Sequence, residues 1–422
     1  MPPPTSHTLI AGLGISGYHA ARLAAREGHV TVIDGGLGPR TKMWADELRA
    51  AGVDVQLACG HLPDCRADLA VISPGIPASH PWVRALAARG IPCTSELAFA
   101  AARIAAPKLA VTGTNGKTTT VQMLTHILRA AGKRAVAAGN IGRSLSELAL
   151  TGEQWDVIVV EVSSFQLELG VPFQPLAAAL LNVTSDHLDR HGNMANYAAL
   201  KASLLTCLPA AARVLRSDVA RDLTIEGECF SQPDKDLPPL PASLPGPHNV
   251  ENALAATALA ERAGVARRAA WDSLESFSLD GHRLQLVSAE DGIRVFNDSK
   301  STNPDALARA LDACGAANDV VLIAGGRDKA MDFAVLLPRL RSLVREVHLI
   351  GENRAQLAAL WAGAVRCVEH DGLESAITAA TGIARRGDTI LFSPGCASQD
   401  MFIDYKQRGA SFVTAIKRRH IA

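Results

Sequence analysis

The chain has no net charge to offer a partner: over 422 residues, Lys plus Arg and Asp plus Glu come to 42 each. A field of one sign is the footprint expected of a protein that binds nucleic acid or an anionic membrane, and neither partner is expected here. No CxxC pair occurs among the eight cysteines, at 59, 65, 93, 207, 229, 314, 367 and 396, which leaves zinc ribbons and redox dithiols without support. Most of these thiols are expected to be buried and reduced, as in a cytoplasmic protein. An apolar run of about 18 to 20 residues is missing, so no membrane span is expected. The N-terminus, Met1-Pro2-Pro3-Pro4-Thr5-Ser6, has no basic segment leading into an apolar one, so no secretory leader is expected either. Tandem repeats and low-complexity tracts are also missing, and Lys417-Arg418-Arg419 reads as the solvated end of a last helix.

What is present is the composition of a folded protein, 48% apolar and 20% charged. Its length suggests about three domains. Short apolar runs alternate with Ala- and Leu-rich helical stretches, which predicts α/β layers with largely parallel sheets. We place the domains at residues 1–97, 98–280 and 281–422. The first and third read as doubly wound, Rossmann-like units, and the central one is built around a phosphate loop.

The first domain opens with a strand at His7–Ala11, then Gly12-x-Gly14-x-x-Gly17 with Ile15 and Ser16 between the glycines, then a helix to about Glu27. A second strand, Val30–Asp34, ends in an acid about twenty residues after the glycines. This spacing suits a nicotinamide cofactor, another diphosphate such as a UDP-sugar, or simply a close strand–helix turn. A third strand, Leu69–Ile72, runs into Ser73-Pro74-Gly75-Ile76-Pro77, and loops at that end of parallel strands are where open α/β sheets bind ligands.

The strongest local signal is LAVTGTNGKTTTV at 109–121, a strand, a glycine-framed loop and a helix start. Gly113, Thr114, Asn115 and Gly116 can turn backbone N–H groups toward an anion, and the helix adds the positive end of its dipole. Lys117 would reach the β- and γ-phosphates of a nucleoside triphosphate, and a hydroxyl of Thr118 or Thr119 would sit on Mg²⁺. Downstream, Glu161 closes the apolar strand Asp156–Glu161, where a carboxylate can hold Mg²⁺. SDHLDRHG at 185–192 supplies the imidazole of His187, Tyr197 precedes Lys201 on a helix, and GPHN at 246–249, followed by Asn252, marks another helix start. Singly, each has a plainer reading: Glu161 as a cap or lysine partner, His187 as a satisfied polar residue, Lys201 as an exposed helix charge.

As an ordered set the motifs resemble the Mur ligase family along essentially the whole chain. They are GLGISG at 12–17, SPGIP at 73–77, TGTNGKTTT at 112–120, GNIG at 139–142, EVSSFQLE at 161–168, SDHLDRHG at 185–192, GPHNVEN at 246–252, GHR at 281–283, NDSKSTNP at 297–304 and SPGCAS at 393–398. The resemblance implies a cytoplasmic ATP-dependent amide ligase, expected to be monomeric, that adds D-glutamate to UDP-N-acetylmuramoyl-L-alanine through an acyl phosphate. It assigns Lys117, Glu161, His187 and Lys201 to catalysis. Thr118, Glu161, His187 and Lys201, the last as a carbamate, would hold two magnesium ions. Asn249, Asn252, Arg283 and Asp298 join the phosphate loop as ATP contacts. Gly14, Ile15, Ser16, Asp34, Ser73, Pro74, Gly75, Asn140, Ser163 and Gln166 fall to the UDP-linked substrate.

For the acceptor amino acid the resemblance points to Thr302, Lys329, Ser398, Gln399 and Tyr405; a lysine and two hydroxyls suit a dianion. Three departures accompany it. Gln399 stands where the family usually has Leu or Phe, Tyr405 where Phe is usual, and Gly35-Gly36 follow Asp34 where the family often has a hydroxyl and an arginine. The alternatives are a related ligase with another acceptor or donor, such as an L-glutamate-adding or folylpolyglutamate-type enzyme, and a non-catalytic nucleotide-binding protein.

Overall fold

The computed structural model describes residues 6–64, 66–233, 236–241, 244, 246–278, 281–315, 317–328 and 331–419. Its strands form three sheets. The first contains β1 (Ser6–Ala11), β2 (Gly28–Ile33), β3 (Asp54–Gln56), β4 (Leu69–Ile72) and β5 (Cys93–Ser95), all parallel, in the order β3-β2-β1-β4-β5. Its central strands carry Leu9, Ile10, Val32, Ile33, Val71 and Ile72, which are buried as unbroken apolar runs because helices cover both faces of a parallel sheet.

The second sheet contains β6 (Lys108–Thr112), β7 (Ala135–Gly139), β8 (Val157–Glu161), β9 (Ala177–Leu180), β10 (Arg213–Arg216) and β11 (Glu228–Phe230), again all parallel, in the order β11-β10-β9-β6-β8-β7. In this register Val111 of β6 lies opposite Glu161 of β8, and Thr112 lies opposite Leu180 of β9. The loops beginning at 113, 162 and 181 therefore leave the sheet together.

The third sheet contains β12 (Gln285–Ser288), β13 (Arg294–Asn297), β14 (Val320–Ala324), β15 (Val344–Leu349), β16 (Arg366–Glu369) and β17 (Thr389–Phe392), in the order β12-β13-β17-β14-β15-β16. The sheet is largely parallel, as expected; only its edge strand β12 pairs antiparallel, with β13, and with a bulge between Leu286 and Ser288. One apolar cluster, with Leu307, Leu311, Leu340 and Trp361, and a second, with Leu373, Ile377, Phe412 and Ile416, include side chains from alternate positions of β14.

The chain groups into two compact units. One comprises residues 1–182, 195–237 and 252–274, and the other residues 183–194, 238–251 and 275–422. Among the described residues no helix is long and apolar enough to cross a membrane. The seven described cysteines are free, but only Cys314 and Cys396 are buried, which corrects the expectation that most would be. Small thiols on short edge strands such as β11 and β16 remain partly or fully exposed because a sheet edge covers them on fewer sides.

Candidate active site

The phosphate loop follows directly from its glycines. Gly113 and Gly116 have φ of 151° and 85°, a region that L side chains rarely adopt. A Cβ on Gly116 would also lie 2.3 Å from Oδ1 of Asn252. The helix Lys117–Ala130 then starts without a side-chain cap and without an acid in its first turn, which leaves its positive end free for an anion. The ammonium of Lys117 folds back over the loop and donates to the carbonyls of Gly113 at 2.9 Å and Thr114 at 2.8 Å.

Asn182, at the end of the run after β9, holds the loop from beside. Its Oδ1 accepts from the Asn115 N–H at 2.8 Å, its Nδ2 donates to the Asn115 carbonyl at 3.0 Å, and its carbonyl accepts from the Thr114 N–H at 2.9 Å. The sequence reading gave Asn182 no role. The signal was available, since a buried amide at the carboxyl end of a strand next to the phosphate-loop strand must satisfy its donors and acceptors locally.

Glu161 is 2% exposed at the carboxyl end of β8. Its Oε2 accepts from the Thr118 hydroxyl at 2.8 Å and its Oε1 from Nδ2 of Asn140 at 2.9 Å. Lys201, on the helix Met194–Thr206, is buried rather than an exposed helix charge. Its Nζ donates to the Gly113 carbonyl at 2.7 Å and lies 4.5 Å from the centre of the Tyr197 ring. Tyr197 in turn accepts a hydrogen bond from the Thr114 hydroxyl at 3.2 Å. Thus Lys117, Thr118, Glu161, Lys201 and Asn252 gather around a single loop.

The donor set suits magnesium only in part. Thr118 and Glu161 offer hard oxygens, as Mg²⁺ prefers. Among the described residues no cluster of three or more His, Cys, Asp or Glu is arranged to hold a metal ion. An ion here would take its remaining oxygens from phosphate and water.

In the first sheet, Oδ2 of Asp34 accepts from the Leu13 N–H at 2.5 Å and Oδ1 from the Gly36 N–H at 2.6 Å, so this acid shapes the glycine loop. Ser73 donates to the Gly12 carbonyl at 2.7 Å. A Cβ on Gly17 would lie 1.9 Å from that same oxygen, so helix Ile15–Ala24 approaches β1 closely enough to require glycine. Ser163 and Gln166 form a reciprocal capping box at the start of Ser164–Leu167. A small cleft is lined by Ser73, Pro74, Ile76, Glu96, Phe165 and Gln166, which brings two of the predicted substrate motifs together.

The remaining predicted residues lie in the second unit. His187 takes a left-handed conformation, φ 54°, at the start of Leu188–His191; its neighbour Asp186 accepts from Nδ2 of Asn303 at 3.1 Å. Asn249 is buried in the first turns of Pro247–Arg262. Asp298 is buried, accepts from the Ser393 hydroxyl at 2.8 Å and the Leu284 N–H at 3.2 Å, and burial pushes its carboxyl up to about 7. Arg283, half-buried, favours the charged form of that carboxyl. Ser398 is buried, Thr302 is half-buried, and Nζ of Lys300 lies 3.9 Å from the centre of the Tyr405 ring. Gln399 is exposed. Lys329 lies outside the described residues.

Comparison with known proteins follows this layout. Family models match at residues 6–95 (Mur ligase MurD-like, N-terminal domain), 111–225 (Mur ligase middle domain) and 282–396 (Mur ligase, glutamate ligase domain). The UDP-N-acetylmuramoylalanine–D-glutamate ligase of Pelotomaculum thermopropionicum is 37% identical, covering 96% of each chain. That of Streptomyces coelicolor is also 37% identical, covering 97% of this chain and 98% of its own. Among solved structures, the MurF ligase of Thermotoga maritima in complex with ADP superposes with a TM-score of 0.62 at 14% identity, covering 99% of this chain and 96% of that one. The UDP-N-acetylmuramate-alanine ligase MurC of the same organism gives 0.60 at 19%, covering 98% of this chain and all of that one; at such identities the likeness is one of fold. With three domain matches in order and relatives of this identity over nearly the full length, the chain belongs to the Mur ligase family.

Proposed function

We propose that the protein is an ATP-dependent ligase that joins D-glutamate to UDP-N-acetylmuramoyl-L-alanine, in the cytoplasmic synthesis of peptidoglycan precursors. The observation that carries this reading is the single loop at 113–116 with Lys117, the Thr118–Glu161 pair and buried Lys201 drawn around it, in a chain whose 37%-identical relatives bear that name. The N–H groups of the loop and the start of helix Lys117–Ala130 bind the phosphates of ATP. Lys117 exchanges the two carbonyls it now holds for phosphate oxygens. Magnesium, when bound by Thr118, Glu161 and carbamylated Lys201, offsets the charge of the phosphates and of the approaching carboxylate.

The chemistry is a phosphoryl transfer followed by an acyl transfer. A carboxylate oxygen of the L-alanine attacks the γ-phosphorus in line, and ADP leaves with the electrons of the broken P–O bond. The amine of D-glutamate then attacks the acyl carbon. The tetrahedral adduct loses phosphate, and the nitrogen releases a proton. The UDP-linked donor is assigned to the motifs at Gly14–Ser16, Asp34, Ser73–Gly75, Asn140, Ser163 and Gln166. By motif, His187 is assigned to the metal, Asn249, Arg283 and Asp298 to the nucleotide, and Thr302, Lys329, Ser398, Gln399 and Tyr405 to glutamate.

The test is phosphate release from ATP with UDP-N-acetylmuramoyl-L-alanine and a panel of amino acids. Release with D-glutamate above all others is expected. Release with none would overturn the ligase reading, and a preference for L-glutamate would reassign the acceptor.

A further inference from the structure

Arg408 lies in the first turn of the helix Tyr405–Arg419 and is 1% exposed. Its Nε donates to the Ser299 hydroxyl at 3.1 Å and its Nη2 to the Ser299 carbonyl at 2.8 Å. Its Nη1 donates to the carbonyls of Cys396 at 3.0 Å and Ala397 at 3.3 Å. One guanidinium therefore ties the turn after β13 to the turn after β17. The loop after β14 joins the same knot: Arg327 and Ala397 exchange backbone hydrogen bonds of 3.0 and 3.1 Å, and a Cβ on Gly326 would lie 3.4 Å from Nη1. These three turns leave the carboxyl ends of neighbouring parallel strands, the side on which open α/β sheets take ligands. In sequence they run on to Thr302, Ser398 and Lys329.

The electrostatics are unusual for a structural staple. Burial pulls the guanidinium down to about 10, which still leaves it charged at neutral pH. Among the described residues no carboxylate forms an ion pair with it; Asp298 and Asp400 favour its charge from longer range. Asp404 is engaged elsewhere, accepting from the Gln407 N–H at 2.8 Å. A buried cation held by neutral oxygens is costly, and nearby negative charge lowers that cost. Among the described residues the hydroxyl of Ser301, buried three residues beyond Asp298, has no hydrogen-bond partner, so the same turn holds a polar group with capacity to spare.

Building on the D-glutamate reading above, we propose that Arg408 is a positioning residue for the acceptor. It locks the turns at 298–303 and 393–398 into one surface, and its charge favours an acceptor with a second carboxylate over the corresponding amide. The experiment uses the full chain and compares Arg408→Gln, Arg408→Lys and Ser299→Ala with the parent. D-glutamate, ATP and D-glutamine are varied, with D-glutamine read as a substrate or as an inhibitor competing with D-glutamate. Arg408→Gln should raise KM for D-glutamate about tenfold with KM for ATP within about twofold, and should cut the preference for D-glutamate over D-glutamine about tenfold. Arg408→Lys keeps the charge, so it should retain that preference within about threefold while KM for D-glutamate rises.

A purely structural role predicts equal losses for both acceptors, or KM values for ATP and D-glutamate that rise together; either result overturns the proposal. Should Arg408→Gln fail to fold, Ser299→Ala decides, since it removes one acceptor from Nε. A rise of about threefold in KM for D-glutamate alone supports the proposal, and an unchanged KM overturns it. If the parent itself gives no D-glutamate-dependent phosphate release, the functional reading fails instead.

Discussion

Lys201 is almost fully buried, and its amine rests on the phosphate loop at the Gly113 carbonyl. A cation is expensive in such a place unless its charge is used or changed. The proposed carbamylation would change it: the neutral amine would take up CO₂, a proton would leave, and an anion would remain on a long arm. Lys201→Ala should therefore lose activity by at least about a hundredfold and regain part of it with added acetate or another short-chain acid. Unchanged activity would remove Lys201 from the mechanism. Gly116→Ala is a second test at this scale, because φ is positive and the new methyl would meet Asn252. KM for ATP should rise about tenfold or more, with stability lowered by about 1–2 kcal/mol. The residues of this loop were legible in the sequence because glycines, a lysine and hydroxyls in fixed order leave few alternatives. Asn182 was not, since an amide reveals its partners only when β6 and β9 lie side by side.

Elements set what each side chain can reach. The register of β6, β8 and β9 places loops that lie far apart in sequence at one edge of the sheet, and Asn182 braces the middle one. Asn182→Ala removes both side-chain hydrogen bonds to Asn115 at once and should raise KM for ATP about tenfold, measured against an unchanged KM for the UDP-linked substrate. On the third sheet, β15 buries His348, whose Nδ1 lies 2.9 Å from Nε2 of His370, with Glu346 and Arg366 on the same face. Burial, with His370 and Arg366 adding to it, pulls His348 down to about 4. A histidine lowered from 6.5 to about 4 stabilises the fold above pH 6.5, and that contribution is lost as pH falls through 4. Urea denaturation should show a loss on the order of 2–3 kcal/mol between those limits, and His348→Gln should remove most of it. An identical acid limb in the variant would assign the loss elsewhere. Half-buried His248, also lowered to about 4 by desolvation, pushes in the same direction. The strands named from the sequence, among them those at 7–11, 30–34, 69–72 and 156–161, were readable from their apolar runs, whereas short edge strands such as β3 and β16 lack such a run. The antiparallel β12 was not, because its half-exposed Gln285–Ser288 carries no buried pattern.

At the scale of the whole molecule, three sheets divide the labour. The first forms the glycine loop and the turn at Ser73, the second the phosphate loop, and the third the turns knotted around Arg408. Ten motifs in order made this division legible, because most of them directly follow a strand, where α/β sheets bind ligands, while GPHNVEN opens the helix Pro247–Arg262 and GHR precedes β12. Burial was less legible: Lys201, Asp298 and Arg408 are charged residue types in the interior, and composition alone places such residues at the surface. The central claim is that the γ-phosphate passes to the carboxylate of the UDP-linked substrate before glutamate attacks. It is tested most directly by labelling both oxygens of that carboxylate with ¹⁸O and running the reaction with ATP and D-glutamate. The account predicts one ¹⁸O in the released phosphate and one retained in the new amide. Unlabelled phosphate from a reaction that forms the amide would contradict it.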